Sequence, residues 1–139
     1  MGLADCEAVT SISNTKDDRK YDEYHNLIRY KARGHTLATT CDWGTTETQK
    51  RKHLLQKSTS PLGTVTGYLY DAYGNTIEVK KKESESGTAK YIKETTAYNA
   101  DGTYAVTQTD ARGRTVTTVT DPYKGTVSSV EDPNHQTII

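Results

Sequence analysis

The sequence predicts an all-β protein, an antiparallel β-hairpin strip. Three observations carry this. Turn signals recur at a fixed step, seven-residue segments rich in Thr, Val and Tyr lie between them, and large apolar residues are scarce. Of the 139 residues, 32% are hydrophobic and none is Phe, while ten are Tyr. Thr, Val and Tyr suit a pleated, half-buried surface, so this composition favours strands over a thick core. The length fits one domain with a modest core.

The recurring unit is a turn. Asp71-Ala72-Tyr73-Gly74 and Asp110-Ala111-Arg112-Gly113 share one pattern. Asn99-Ala100-Asp101-Gly102 fits with Asn opening, and Ser60-Pro61-Leu62-Gly63 with Ser. Asp121-Pro122-Tyr123-Lys124-Gly125 carries one inserted residue, and Asp132-Pro133-Asn134-His135 has His in place of Gly. The openings fall at Ser60 and Asp71, then at Asn99, Asp110, Asp121 and Asp132, a step of 11 within each group. The opening Asp, Asn or Ser hydrogen-bonds back to the backbone. Pro at the second position pre-sets φ for a type I turn. Gly then takes the left-handed conformation that other residues avoid. Such a turn closes a hairpin with a bulge.

Taken in order, residues 1–20 are unpatterned and are expected to be irregular, and the hairpin repeats are expected over 21–139. Tyr21–Ile28 (YDEYHNLI) parallels Tyr70–Ile77, with His25 at the Gly74 position and Asn26 matching Asn75. Glu47–Lys57 has a basic middle and reads as a short helix or a loop, and the Leu54-Leu55 pair reads as beginning the strand that leads into Ser60-Pro61. Thr64–Tyr70, Thr103–Thr109, Arg114–Thr120 and Thr126–Glu131 read as strands. Lys80–Lys90 (KKKESESGTAK) reads as a long hairpin loop, and its three lysines would discourage edge-to-edge strand pairing. Alternation is imperfect. Tyr104 and Val106 fall on one face, but Val116 and Val119 do not, nor do Val127 and Val130. Either a bulge or partial cover of both faces reconciles them.

Charge and motifs narrow the function classes. Lys plus Arg number 18 and so do Asp plus Glu, so the basic excess that a nucleic-acid binder needs is missing. No apolar run has membrane-spanning length, and no membrane insertion is expected. Met1–Thr10 lacks the basic start and apolar stretch of a secretory signal. Cys6 and Cys41 are either a disulfide or two thiols. With the four histidines they show no CxxC, HxH or HExxH spacing, so neither metal nor other cofactor is expected. Asp71, Asp110, Asp121 and Asp132 have a sufficient structural reason at turn starts, and no catalytic residue is expected. The residues expected to matter are the turn formers Gly63, Asp71, Gly74, Gly102, Asp110, Gly113, Asp121 and Gly125. Trp43, Tyr70 and Tyr73 are candidates for an aromatic platform that would bind a cell-wall glycan, set against ordinary cross-strand aromatic packing.

YDEYHNLI, SPLGTVTGYLYDAYGNTIEV and YNADGTYAVTQTDARGRTVTTVTDPYKGTVSSVEDP together span most of residues 21–133. This array resembles the Rhs or YD-repeat proteins: bacterial wall-associated proteins, polymorphic toxins and teneurins. The resemblance implies hairpin strips that coil into a hollow shell, enclosing a C-terminal effector domain in toxin members. On that basis the chain is expected to be a non-catalytic fragment of a larger secreted or cell-surface protein. Its partners would be the remainder of the parent shell and, in the parent, an effector domain. The alternative is a carbohydrate- or cell-wall-binding adhesion module. Open strand edges in a short array invite homodimers.

Overall fold

The computed structural model describes residues 17–139. Among these residues it contains eleven strands and one short helix. They run β1 (Asp18–Tyr21), β2 (Leu27–Lys31), β3 (Thr39–Asp42), α1 (Glu47–Arg51), β4 (Lys57–Thr59), β5 (Val65–Tyr70), β6 (Thr76–Lys82), β7 (Tyr91–Tyr98), β8 (Ala105–Thr109), β9 (Thr115–Thr120), β10 (Val127–Glu131) and β11 (Thr137–Ile138). The strands form one sheet in which each lies beside its sequence neighbour, from β1 to β11. The fold is the expected all-β antiparallel hairpin strip. The chain divides into two compact units, one of residues up to 67 with 81–90, the other of 68–80 with 91–139.

Several boundaries differ from those the sequence suggests. β1 starts at Asp18, so strand structure begins before residue 21. Asp18 is fully buried and its Oδ2 accepts from Arg29 Nη1 at 2.8 Å, a charged pairing that hydrophobic patterning does not register. Leu54-Leu55 precedes rather than begins β4, which starts at Lys57 opposite Asp42 of β3. Lys80, Lys81 and Lys82 belong to β6, and the loop occupies only 83–90. β6 lies between β5 and β7 in the sheet order, so the three lysines do not guard an edge.

The irregular alternation of Val127 and Val130 has a local cause. β10 is bulged between Val127 and Ser129: Val127 stands opposite Thr120 and Val130 opposite Thr118. Thr118 and Thr120 share a face, so Val127 and Val130 do too. A second shift, between Ala97 and Tyr98, leaves Val106 without a direct partner across β7. Val116 and Val119 remain on opposite faces of an unbulged stretch, and Val119 is exposed.

The described residues form no thick apolar core. Val65 is the one large apolar residue that is buried among the described residues, whereas Asp18, Asp22 and Asn26 are buried polar groups. Most strand side chains are only half-buried. Cohesion therefore rests heavily on the hydrogen-bonded ladders and on the turns that fix their register.

Candidate functional site

The turns repeat one constellation. In each, the opening residue's carbonyl accepts from the N–H of the residue at the glycine position. That donor is Gly63, Gly74, Gly102, Gly113 or Gly125, at 2.8–3.1 Å. His25 and His135 take the same role toward Asp22 and Asp132, at 3.1 and 3.0 Å. All seven have positive φ, with His25 at 65° and His135 at 61°. The opening carboxylates then clamp the loop. Oδ1 of Asp71 accepts from Tyr73 and Asn75 N–H, and Oδ1 of Asp110 from Arg112 and Arg114 N–H. Asp121 accepts likewise from Tyr123 and Lys124, Asp132 from Asn134 and Gln136, and Asp22 from Tyr24 and Asn26. Asn99 does the same through its amide oxygen, and the Ser60 hydroxyl accepts from Thr64.

These bonds shift the carboxylates. Burial raises the Asp71 pKa, but donors from the Asn75 side chain and from backbone N–H groups outweigh it and hold the group below its usual range. Asp22 behaves alike, with burial outweighed by Asn26, by backbone donors and by the Lys50 charge. Asp110 is lowered chiefly by Arg114, whose Nε donates to Oδ2 at 2.7 Å.

A second level of contact joins turn to turn, and sequence reading missed it. In the second unit, Asn75 Nδ2 donates to the Gly102 carbonyl at 2.6 Å, and the Tyr73 hydroxyl donates to the Ala100 carbonyl at 3.3 Å. The Tyr73 ring lies so close over Gly102 that a Cβ there would sit 2.3 Å from Cδ2. In the first unit the matching residues dock on α1. Asn26 Nδ2 donates to the Lys50 carbonyl at 2.9 Å, and the Arg51 guanidinium stands over the Tyr24 ring at 5.0 Å. Burial and a hydrogen bond with Glu47 push the Tyr24 phenol up. His53, itself at φ 54°, adds an Nδ1 contact to Asn26 Oδ1 at 2.6 Å. Helix α1 is set for this by a capping box between Thr46 and Gln49. The one available signal was the repeated Tyr-Asp-x-Tyr-x-Asn spacing at Tyr21–Asn26 and Tyr70–Asn75.

The aromatic candidates are separately committed. Trp43 belongs to the first unit, is half-buried, and donates Nε1–H to the Leu27 carbonyl at 2.8 Å. It borders a cleft with Asp22, Ile28, Cys41 and Lys50. Tyr70 and Tyr73 belong to the second unit. Tyr70 is half-buried, with its phenol raised by burial and by Tyr68, while Tyr73 is exposed and spends its hydroxyl on Ala100. Cys41 is half-buried and forms no disulfide among the described residues; Cys6, and with it any Cys6–Cys41 pairing, lies outside them. The basic runs are locally paired, Lys50 with Glu23 at 3.8 Å and Lys80 over the Tyr91 ring at 4.0 Å. Among the described residues no three His, Cys, Asp or Glu side chains converge as metal ligands, and no helix is long and apolar enough to cross a membrane. No family model matches the chain, and no curated protein matches it.

Proposed function

We propose that the chain is a non-catalytic structural segment of a large secreted or cell-surface Rhs/YD-repeat protein. It contributes wall to a β-shell that encloses a toxin or effector domain. The observation that supports this most is the pairing of local and remote bonds at the YD turns. Asp71 holds its own loop, while Tyr73 and Asn75 hold the next turn on the same side of the sheet. A motif used in this way sets the spacing of successive hairpins, which a nearest-neighbour array requires. The carboxylates that sequence alone offers for acid–base work have their oxygens directed at turn N–H groups, which suits holding a loop rather than moving a proton.

The test is the intact mass and peptide sequence of the native polypeptide that contains this segment. The proposal expects a much longer chain ending in an unrelated C-terminal domain. A native chain of only this size would overturn the shell reading and bring forward the glycan-binding module, to be tried by Trp43 fluorescence against a panel of soluble glycans. Among the described residues the strand order leaves β11 as an outer strand, so self-association at micromolar to millimolar concentration is part of the same proposal. Light scattering that reports monomer throughout would remove that part.

A further inference from the structure

Tyr24, Tyr73 and Tyr123 share the second position after the opening Asp in three turns, the third of which is longer by one residue before its glycine. Each follows its opening Asp by two residues and donates its backbone N–H to that Asp's Oδ1, at 2.9, 2.9 and 2.8 Å. Two of the three rings are docked, Tyr24 on α1 and Tyr73 on the turn at Gly102. Tyr123 is 96% exposed. An isolated exposed aromatic needs no explanation. One that repeats the geometry of two docked rings does.

In the second unit the docking has a direction. The turns 71–75, 99–104 and 121–126 each join an odd-numbered strand to the next, so they succeed one another along one side of the antiparallel order. Tyr73 and Asn75 of the first reach Gly102 in the second. Tyr104 closes the second, where the Asn99 N–H meets its carbonyl, and its hydroxyl lies 3.3 Å from where a Cβ on Gly125 of the third would be. The next place on that side is the exit from β11. Among the described residues β11 pairs with β10 alone, and its Ile138 is 71% exposed.

We propose that Tyr123 and the outer side of β11 form a receiving face for one further hairpin turn of the same chemistry. That turn opens with Asp or Asn and closes on a left-handed glycine. Its glycine lies under the Tyr123 ring, as Gly102 lies under Tyr73, and one of its carbonyls accepts from the Tyr123 hydroxyl. Any side chain at the glycine position would foul the ring, as it would at Gly102. This inference rests on the repeat-scaffold reading and names the residue through which the array continues.

The test is a four-way comparison of melting temperatures. The full chain and Tyr123→Ala are measured with and without an appended copy of residues 99–109, a turn followed by a strand, placed after Ile139. The extension is expected to raise Tm by about 3 °C or more. Tyr123→Ala should remove most of that gain, yet change the unextended chain by less than about 1 °C, as surface substitutions do. Alanine in the appended copy of Gly102 should remove the gain too. An extension that stabilises equally with and without Tyr123, or not at all, overturns the proposal. The scaffold reading is decided separately, by the mass of the native polypeptide.

Discussion

Asn75 uses both N–H bonds of its side-chain amide: Nδ2 donates to Asp71 Oδ2 at 3.0 Å and to the Gly102 carbonyl at 2.6 Å. One acceptor closes the residue's own turn, and the other belongs to a turn 27 residues away. No carboxylate can replace an amide here, since an ionised Asp has no donor. Asn75→Asp removes both bonds and sets a second negative charge against Asp71. It is expected to lower stability in urea by about 1–3 kcal/mol. Asn75→Ala should cost less, because it adds no repulsion. Asn26→Asp should cost more than Asn75→Asp, since Asn26 is only 3% exposed and the new charge would be buried. Equal urea midpoints for the Asp and Ala variants would argue against repulsion from Asp71, and an Ala variant as stable as the parent chain would argue against the amide's double role.

Gly102 and Gly113 separate backbone strain from steric exclusion. Both have positive φ, 66° and 80°. A Cβ on Gly113 would meet nothing within 4 Å, whereas one on Gly102 would strike the Tyr73 ring at 2.3 Å. Gly113→Ala should therefore show only the left-handed cost, about 1–2 kcal/mol. Gly102→Ala should exceed it. In a Tyr73→Ala background the excess should shrink, because the obstructing ring is gone. A Gly102 penalty that ignores Tyr73 in thermal melts would mean the ring is not seated there.

The turns were legible because their chemistry is local. An opening Asp, a glycine three residues on and a fixed step suffice to place Asp71–Gly74 and Asp110–Gly113; His135 betrays itself by falling in step, and His25 by the match of Tyr21–Ile28 to Tyr70–Ile77. The contacts between turns were not legible. Asn75 meets Gly102, and Asn26 meets Lys50, across 27 and 24 residues, and no local pattern marks the acceptor, which is a backbone carbonyl. Tyr73 was open to reading as a sugar-stacking residue for the same reason: nothing near it in sequence shows where its hydroxyl goes. β1 was hidden by its content, since DRKY carries a buried Asp instead of apolar alternation.

His25 and His135 stand where five other turns have glycine, at φ 65° and 61°. A non-glycine residue there loses about 1–2 kcal/mol to the left-handed conformation. Glycine returns that but costs about 0.5–1 kcal/mol in unfolded-chain entropy. His25→Gly and His135→Gly are expected to raise stability by up to about 1 kcal/mol each. The His135 contact with Glu131, at 2.7 Å on an 88% exposed side chain, subtracts little. His53→Gly is the contrast. Its φ is 54°, but its ring engages Asn26 Oδ1, so the substitution should not stabilise. Thermal melts of the three variants check the ranking, and stabilisation by His53→Gly would show that the Asn26 contact contributes nothing.

Acid should loosen the turns in a defined window. Asp22, Asp71 and Asp110 are all held below the ordinary carboxylate value, by donors that outweigh burial at the first two and chiefly by Arg114 at the third. A folded-state pKa below the unfolded one means that the unfolded chain binds protons first as pH falls. The stabilisation is therefore complete above the unfolded value, about 3.9, and drains away as pH drops through the lower folded values. Between pH 5 and 7 these three groups should leave Tm flat, with a decline beginning near pH 4. Asp110→Asn tests one share of it. The substitution removes the charge that Arg114 neutralises while keeping an oxygen for the Arg112 and Arg114 N–H groups. It should lower Tm at pH 7, and the gap to the parent chain should narrow as pH falls below the ordinary carboxylate value and Asp110 itself becomes protonated. A gap of constant size across that range would mean the Arg114 pairing is not what lowers this carboxylate.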